Sequence, residues 1–494
     1  MQAYRELEER FARIATLTEM GEILHWDMST KMPPGGAAGR ADHLALQEVL
    51  SHQMITDPAL ADLLPAAAEE PLDDWQRANL AEMRRRWLHA TALDGVLVDR
   101  LAKAATATEM AWRTARETSD FAAVRPLLGG LLALIREKAA ALSEALGLTP
   151  YDALLDAYEP GGRIRDIEPV FDELAAFLPG FLSEVLERQA RAPAPLDPPG
   201  PFDRARQTGL AHGLMADLGF DFDRGRLDST FHPFCGGTPD DTRVTTRYDD
   251  DDLTEGLMCV IHETGHALYE QGLPRSWRRQ PVGEARGMSL HESQSLLFEM
   301  QLCRSRDFFE FAAPRLAAAF DGSGPAWSAD NLYRRAIRVE RGFIRVEADE
   351  VTYPAHVILR TRLERAMVAG DLDVADLPGA WNDGMAELLG VVPPDDRRGC
   401  LQDIHWYGGD FGYFPTYTLG AMTAAQIFAV ARRRLPDLAQ DIRRGDFGPL
   451  LDWLRREIHG RASLLSTGDL LRQVTGEPLN PAFFEEHLRA RYLP

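Results

Sequence analysis

Cysteine is scarce in this 494-residue chain, and its four cysteines form no paired motif. Cys235, Cys259, Cys303 and Cys400 are widely separated, with no C-x-x-C spacing among them. A disulfide framework needs patterned cysteines in an oxidising compartment, so we expect reduced thiols instead. This cysteine usage favours an intracellular protein.

The sequence also has no uninterrupted apolar run that approaches the length of a membrane-spanning helix. Its first twenty residues alternate charges with Leu7, Phe11, Ile14 and Leu17 at helical spacing, and they lack the apolar core of a signal peptide. We therefore expect neither a transmembrane segment nor secretion. Together with the cysteines, this predicts a cytoplasmic location.

Positive charge is in short supply. The 54 lysines and arginines face 76 aspartates and glutamates, which gives a formal net charge of −22. A surface of this sign repels phosphate backbones and anionic lipid headgroups. We therefore expect no nucleic-acid partner and no membrane partner.

What the sequence has in abundance is the three-and-four spacing of apolar residues that is typical of amphipathic helices. This pattern predicts helices at residues 38–50, 73–103, 124–146, 169–189, 253–270, 290–309, 331–338, 345–367, 421–433 and 481–492. We predict an all-α protein that forms a single domain over residues 1–494, since nothing marks a clean cut. The proline-rich run near 191–202 is the best candidate for a boundary between two lobes.

One stretch departs from the helical pattern. Residues 229–248 contain paired glycines and then a run rich in β-branched residues, which predicts a small β-hairpin or sheet. Its edge would either bind a peptide main chain by strand addition or only stabilise the fold. Periodicity alone favours neither role.

The most informative motif is H-E-T-G-H at residues 262–266. In a helix, His262 and His266 point the same way and can hold one Zn²⁺, with Glu263 beside them to take a proton from a metal-bound water. Chance gives this pattern on the order of once in fifty chains of this length, so its context matters. The flanking apolar residues and the stop at 272–274 are typical of a buried helix, and they predict a zinc peptidase rather than a core helix with structural histidines.

A catalytic zinc site needs a third protein ligand and an open position. Glu292 is our first candidate, because a helix-like segment follows it and a carboxylate completes a His₂Glu ligand set. His291 and Glu299 are rival ligands. A capping box from Ser289 to Glu292 is a further alternative, in which the glutamate would only cap its own helix.

At this point several motifs in order identify a family. They are H-P-F at 232–234, D-T-R-V-T at 241–245, H-E-T-G-H at 262–266, H-E-S at 291–293, I-R-V-E-A-D at 344–349 and G-C-L-Q-D-I-H-W at 399–406. The chain resembles the carboxypeptidase Taq family of zinc metallocarboxypeptidases over nearly its whole length. The resemblance implies a two-lobed helical body with a deep central groove, similar to neurolysin and angiotensin-converting enzyme, and commonly a homodimer.

The same resemblance implies the activity. We expect removal of single residues from the carboxyl end of peptide substrates, with broad preference and poor action before proline, and with Zn²⁺ or sometimes Co²⁺ as the cofactor. Glu263 would act as general base and then as general acid. An oxyanion needs a further donor, and Tyr417 and Tyr413 on a glycine-rich loop are candidates, although both rings would also suit loop packing.

A carboxypeptidase must recognise the terminal carboxylate of its substrate, which a guanidinium does well through paired hydrogen bonds. Arg345 is our first choice, although its acidic neighbours make an internal ion pair the competing interpretation. Arg243 is the alternative anchor and would otherwise brace the hairpin. We also expect Gln402 and His405 to line the substrate groove or to hydrogen-bond the intermediate, and we expect His232 to line the groove, with a structural role as the alternative for both histidines.

Overall fold

The computed structural model of the chain describes residues 1–230 and 232–494 and is 71% helical. The helices of the amino-terminal part are α1 (Gln2–Thr30), α2 (Ala37–Ile55), α3 (Ala59–Ala68), α4 (Asp74–Thr91), α5 (Gly95–Thr118), α6 (Phe121–Leu146), α7 (Pro150–Leu155), α8 (Ile164–Arg191) and α9 (Arg204–Leu218). The prediction of an all-α protein with a small sheet is confirmed.

The remaining helices carry the candidate site or support it. They are α10 (Leu253–Gly272), α11 (Met288–Leu296), α12 (Arg306–Ala319), α13 (Ala329–Ala336), α14 (Tyr353–Ala369), α15 (Leu377–Leu389), α16 (His405–Gly408), α17 (Pro415–Arg434), α18 (Leu438–Arg444), α19 (Gly448–Glu457), α20 (Thr467–Thr475) and α21 (Pro481–Tyr492). A π-helix, Leu297–Cys303, continues directly from α11.

Three predicted helices are wrong in their extent. Residues 73–103 form two helices, because Asp94 caps a new one by accepting a hydrogen bond from the backbone of Leu97. Residues 290–309 are divided among α11, the π-helix and α12. At 345–367, Arg345–Glu347 is only a 3₁₀ turn and α14 begins at Tyr353. In each case the apolar spacing continues across a break that a local cap or turn imposes.

The predicted β segment supplies two strands of a three-stranded sheet, whose first strand, at 225–229, ends where the predicted range begins; Phe231 within that range lies outside the described residues. Strands β1 (Gly225–Ser229), β2 (Cys235–Thr238) and β3 (Asp241–Thr246) lie in the order β1-β3-β2. β2 and β3 form an antiparallel hairpin, and β1 joins β3 in parallel. The sheet lies against α10 and α1, so it forms a wall beside the H-E-T-G-H helix.

Two large hydrophobic cores fill the body. The first core contains buried residues between Trp112 and Val185 and further ones from Val339 onward. The second core contains buried residues from Phe202 onward. Helix α17 is shared, since Leu419 and Met422 pack in the first core while Ile427 and Phe428 pack in the second. A smaller third core joins α1, α3 and α4.

The proline-rich segment runs between the last residues of α8 and the start of the second core. It has no regular secondary structure, but its Leu196 exchanges backbone hydrogen bonds with the side chain of Asn331. Whether 191–202 divides two lobes of one domain stays a prediction. In the described part of the chain, every helix is too short or too polar to cross a bilayer.

Candidate metal centre and active site

Helices α10 and α11 bring three ligand-type side chains together. His262 and His266 lie one turn apart on α10, and their ring centroids are 5.0 Å apart. Oε2 of Glu292, on α11, is 3.5 Å from Nε2 of His266 and 3.9 Å from Nε2 of His262. Among the described residues, these three form the one histidine and carboxylate group compact enough to hold a metal ion.

The donor set fits a divalent ion. Two imidazole nitrogens and one carboxylate oxygen, all within 4.8 Å of one another, match the two-histidine, one-glutamate pattern of catalytic zinc sites. Burial alone would raise the pKa of Glu292, but the hydrogen bond from His266 and the nearby histidines hold it at about 2. Burial lowers the pKa of His266 to about 4, so this ring is neutral and ready to ligate.

Close helix packing sets the position of Glu292. Gly265 of α10 faces α11 so closely that a β-carbon there would lie 2.6 Å from the carbonyl oxygen of Gln294. On the other side, a β-carbon on Gly420 of α17 would lie 2.8 Å from Cβ of Glu292. The helix that carries Glu292 is therefore held between two glycine contacts, and its distance from the two histidines is fixed by backbone packing.

Glu263 lies beside the ligand group on the same helix. Burial raises its pKa to about 7, with a lowering effect from His262 and a raising effect from the charge of Glu292. A carboxyl group with a pKa near 7 can both accept and release a proton at neutral pH, which is what general acid–base chemistry requires.

The rival third ligands occupy other positions. Glu299 bonds to Nδ1 of His262 at 2.9 Å, on the far side of that ring from Glu292. His291 bonds to Glu270 and stacks on His266 with ring centroids 4.5 Å apart. The capping-box alternative is wrong, because α11 begins after Gly287 and has no side-chain cap.

Arg345 forms an internal ion pair, as its competing interpretation held, but with the distant Asp403 rather than with its acidic neighbours in the sequence. Its side chain is 6% exposed and lies 2.8 Å from Asp403, with a further hydrogen bond to the hydroxyl of Tyr353. Arg360, fully buried, bonds to the same carboxylate at 2.6 Å. Two guanidinium groups therefore share one aspartate, and the cluster keeps a net positive charge of about one. Whether Arg345 binds a substrate carboxylate stays a prediction.

The two candidate tyrosines lie together next to the arginine cluster. The rings of Tyr413 and Tyr417 are 5.2 Å apart, and the guanidinium of Arg345 lies 4.8 Å from the ring of Tyr417. Nε2 of His405 is 3.3 Å from the hydroxyl of Tyr417. Burial raises the pKa of Tyr413 to about 12, so its phenol is neutral and can donate. The negative charge of Glu292 adds to this rise.

The other predicted substrate residues are distributed around this cluster. Gln402 accepts from the backbone of Arg345 and from Arg360, and its amide donates to three backbone carbonyls, so it braces the loop. Arg243 pairs with Asp241 at 2.6 Å and lies over the ring of Trp26. His232 lies in the segment between β1 and β2. Their roles toward a substrate stay predictions.

Sequence reasoning missed the partners rather than the reactive groups. Asp403, Arg360 and Tyr353 surround Arg345; Tyr353 and Arg360 lie on the following helix α14, but Asp403 is 58 positions away in the chain. Asp403 stands inside the motif at 399–406, which was the one available signal. No spacing pattern within one segment of the sequence links Asp403 to the two arginines, which lie on other elements.

An H-E-x-x-H helix that meets a glutamate of the next helix, inside an almost wholly helical body, defines a metallopeptidase. The family model described as the carboxypeptidase Taq (M32) metallopeptidase matches residues 6–492. The chain is 40% identical over 504 residues to thermostable carboxypeptidase 1 of Thermus thermophilus, covering 99% of this chain and 98% of that protein. It is 32% identical to carboxypeptidase 1 of Bacillus subtilis, covering 99% and 97%.

Solved structures agree with the sequence relatives. The chain superposes on metallocarboxypeptidase 1 of Trypanosoma cruzi with a TM-score of 0.98 and 42% identity, over 100% of both chains. It superposes on an M32 carboxypeptidase of Deinococcus radiodurans with a TM-score of 0.93 and 33% identity, over 100% of this chain and 99% of that one. This chain belongs to the carboxypeptidase Taq (M32) family, and its class of activity is that of a metallocarboxypeptidase.

Proposed function

We propose that this enzyme removes single residues from the carboxyl end of peptides with broad preference, using Zn²⁺ held by His262, His266 and Glu292. The convergence of these three side chains beside Glu263 is the observation that carries the proposal. Co²⁺ is an alternative metal, since the same donor set binds both ions. When bound, the ion supplies Lewis-acid activation of water and of the scissile carbonyl.

Glu263 is the proposed proton carrier. With a pKa of about 7, it takes a proton from the attacking water and later delivers it to the nitrogen of the leaving residue. Tyr413 and Tyr417 are the proposed donors to the oxyanion, because neutral phenols donate without adding charge. The contact between His405 and Tyr417 supports this role by restricting the phenol.

The arginine cluster is the proposed site for the substrate carboxylate. Because Arg345 and Arg360 share Asp403, one positive charge is left over in a buried setting, where an anion is bound strongly. Arg345 would meet the carboxylate, with Arg243 as the alternative anchor and with His232, Gln402 and His405 along the groove.

Broad preference is expected if the substrate is held by its main chain. Strand β2 lies at an edge of the sheet, and the charge of Glu263 contributes to the raised pKa of Cys235 on that strand. The strand also packs against α10, the helix that carries the proposed base. A peptide paired with this edge would be recognised by backbone hydrogen bonds, which are indifferent to side chains.

We also propose that the protein forms a homodimer. Every residue of α2 is described and none is buried, although amphipathic helices usually bury one face. Leu46, Val49 and Leu50 are 60%, 52% and 40% exposed and share one side of this helix. An apolar face of this kind suits contact with a second copy, and sedimentation of wild type and Val49→Asp tests it.

Replacing Glu263 with glutamine tests the proposed chemistry. We expect loss of peptide turnover by more than a hundredfold with an unchanged metal content, because the amide cannot accept the proton. A blocked tripeptide and its carboxyl-amidated twin form the substrate pair. Equal turnover by the variant, or equal cleavage of the two peptides, would contradict the proposal.

A further inference from the structure

Glu299 lies behind the ligand group rather than in it. Its Oε2 is 2.9 Å from Nδ1 of His262, while Nε2 of the same ring faces Glu292. An ionised carboxylate can only accept, so this contact places a proton on Nδ1, and in the neutral ring the lone pair is then on Nε2. A metal-ligating histidine needs this tautomer.

Glu299 is itself held in place. Its second oxygen, Oε1, accepts a hydrogen bond of 2.8 Å from Nη2 of Arg304, and its side chain is 10% exposed. Arg304 in turn reaches the backbone carbonyl of Ala336. Both carboxylate oxygens are therefore occupied, and the group cannot turn away from His262 without breaking an ion pair in a poorly hydrated place.

The backbone that carries Glu299 is unusual. Glu299 lies in the first turn of the π-helix Leu297–Cys303, a conformation that is rare and is found most often at functional sites. The widened turn follows directly on the helix that supplies Glu292. One continuous segment therefore provides a proposed ligand and, seven residues later, a carboxylate on the back of another ligand.

The second histidine is held differently. Nδ1 of His266 is buried and has no hydrogen-bond partner among the described residues. Its ring instead stacks on His291, with an interplanar angle of 22°, and His291 is fixed by a 2.9 Å contact with Glu270. A carboxylate on the back of the ring therefore distinguishes His262 from His266.

We propose that Glu299, braced by Arg304, is a positioning residue that fixes the tautomer and orientation of His262 for metal binding. The proposal rests on the proposed function, because it takes His262 as a ligand. Loss of such a partner typically weakens metal affinity by 10- to 100-fold. We expect this loss in Glu299→Gln, with the metal stoichiometry unchanged at saturation.

The experiment measures Zn²⁺ affinity of the chelator-stripped full chain by competition with a chromophoric chelator. Asp156→Asn is the matched control, since it alters a carboxylate–histidine contact of 3.0 Å whose histidine, His89 on α4, is outside the ligand group. We expect a loss below about threefold for this control. Arg304→Gln keeps the carboxylate and should fall between the two, which also covers the case in which Glu299→Gln fails to fold.

A spectroscopic signature separates positioning from general stability. In ¹⁵N-histidine spectra of the wild-type zinc form, His262 should carry its proton on Nδ1, and this signal should shift or exchange faster in Glu299→Gln. Wild-type affinity and an unchanged spectrum in Glu299→Gln would overturn the inference alone. Retention of the site in His262→Ala and His266→Ala would instead overturn the proposed function.

Discussion

Replacing Gly265 with alanine should damage both the stability and the chemistry of this enzyme. The new β-carbon would lie 2.6 Å from the carbonyl oxygen of Gln294 and from Cα of Ser295, whereas ordinary contacts begin at 3.4 Å. Both obstacles are backbone atoms, so α11 must move away from α10 by about 0.8 Å. Overpacking of this kind costs about 1–3 kcal/mol of folding free energy.

The same displacement carries Glu292 away from the two histidines. Catalytic groups must be held within roughly 0.5 Å of their working positions, and an error near 1 Å costs about a hundredfold in rate. We therefore expect kcat/KM of the zinc-saturated variant to fall by about that factor. Urea unfolding of the metal-free protein and peptide turnover of the metal-saturated protein measure the two effects.

Gly213→Ala is the control for this variant. Gly213 lies within α9, and apart from its own helix backbone and its chain neighbours no described atom lies within 4 Å of the position of its β-carbon. This change should raise stability by about 0.5–1 kcal/mol, since alanine is the better helix former, and should leave turnover unchanged. If Gly265→Ala matches wild type in both stability and turnover, the argument that helix contact fixes Glu292 is wrong.

Two further predictions concern buried charge. Burial raises the pKa of Glu364 from 4.5 to about 7, so the unfolded chain releases this proton first and stability falls as pH rises from about 4.5 to 7. The loss is about 3 kcal/mol, and urea unfolding across this range should show that Glu364→Gln lacks this component of the pH dependence. Asp403→Asn should destabilise the protein by about 3–5 kcal/mol, because it leaves Arg345 and the fully buried Arg360 without their anion. A loss below 1 kcal/mol in denaturant unfolding would contradict this view of the cluster.

Local signals in the sequence were sufficient where one helix contains the whole pattern. The helix at 481–492 was predicted with its observed bounds, and in the structure Asn480 caps it and Pro481 occupies its first position. His262 and His266 likewise follow from spacing within one helix. The predicted helix at 73–103 was wrong because the apolar spacing continues from α4 into α5 and does not reveal the cap at Asp94, where the second helix begins.

Contacts between distant segments were beyond the sequence. Glu292 was named from its helix-like context, but its approach to the histidines depends on Gly265 and Gly420, which belong to two other helices. The pairing of Arg345 with Asp403 spans 58 positions. The use of Glu299 on the back of His262, rather than as a ligand, depends on a π-helical turn that apolar periodicity does not reveal.

Helix α17 contributes to both large hydrophobic cores of the molecule. Loss of this helix would expose both cores at once, because Met422 packs in the first core and Ile427 packs in the second. Each core therefore depends on the same helix, and we expect the protein to unfold in a single thermal transition. We expect a protease cut in the exposed proline-rich segment to leave two fragments that stay associated, because α17 still packs in both cores.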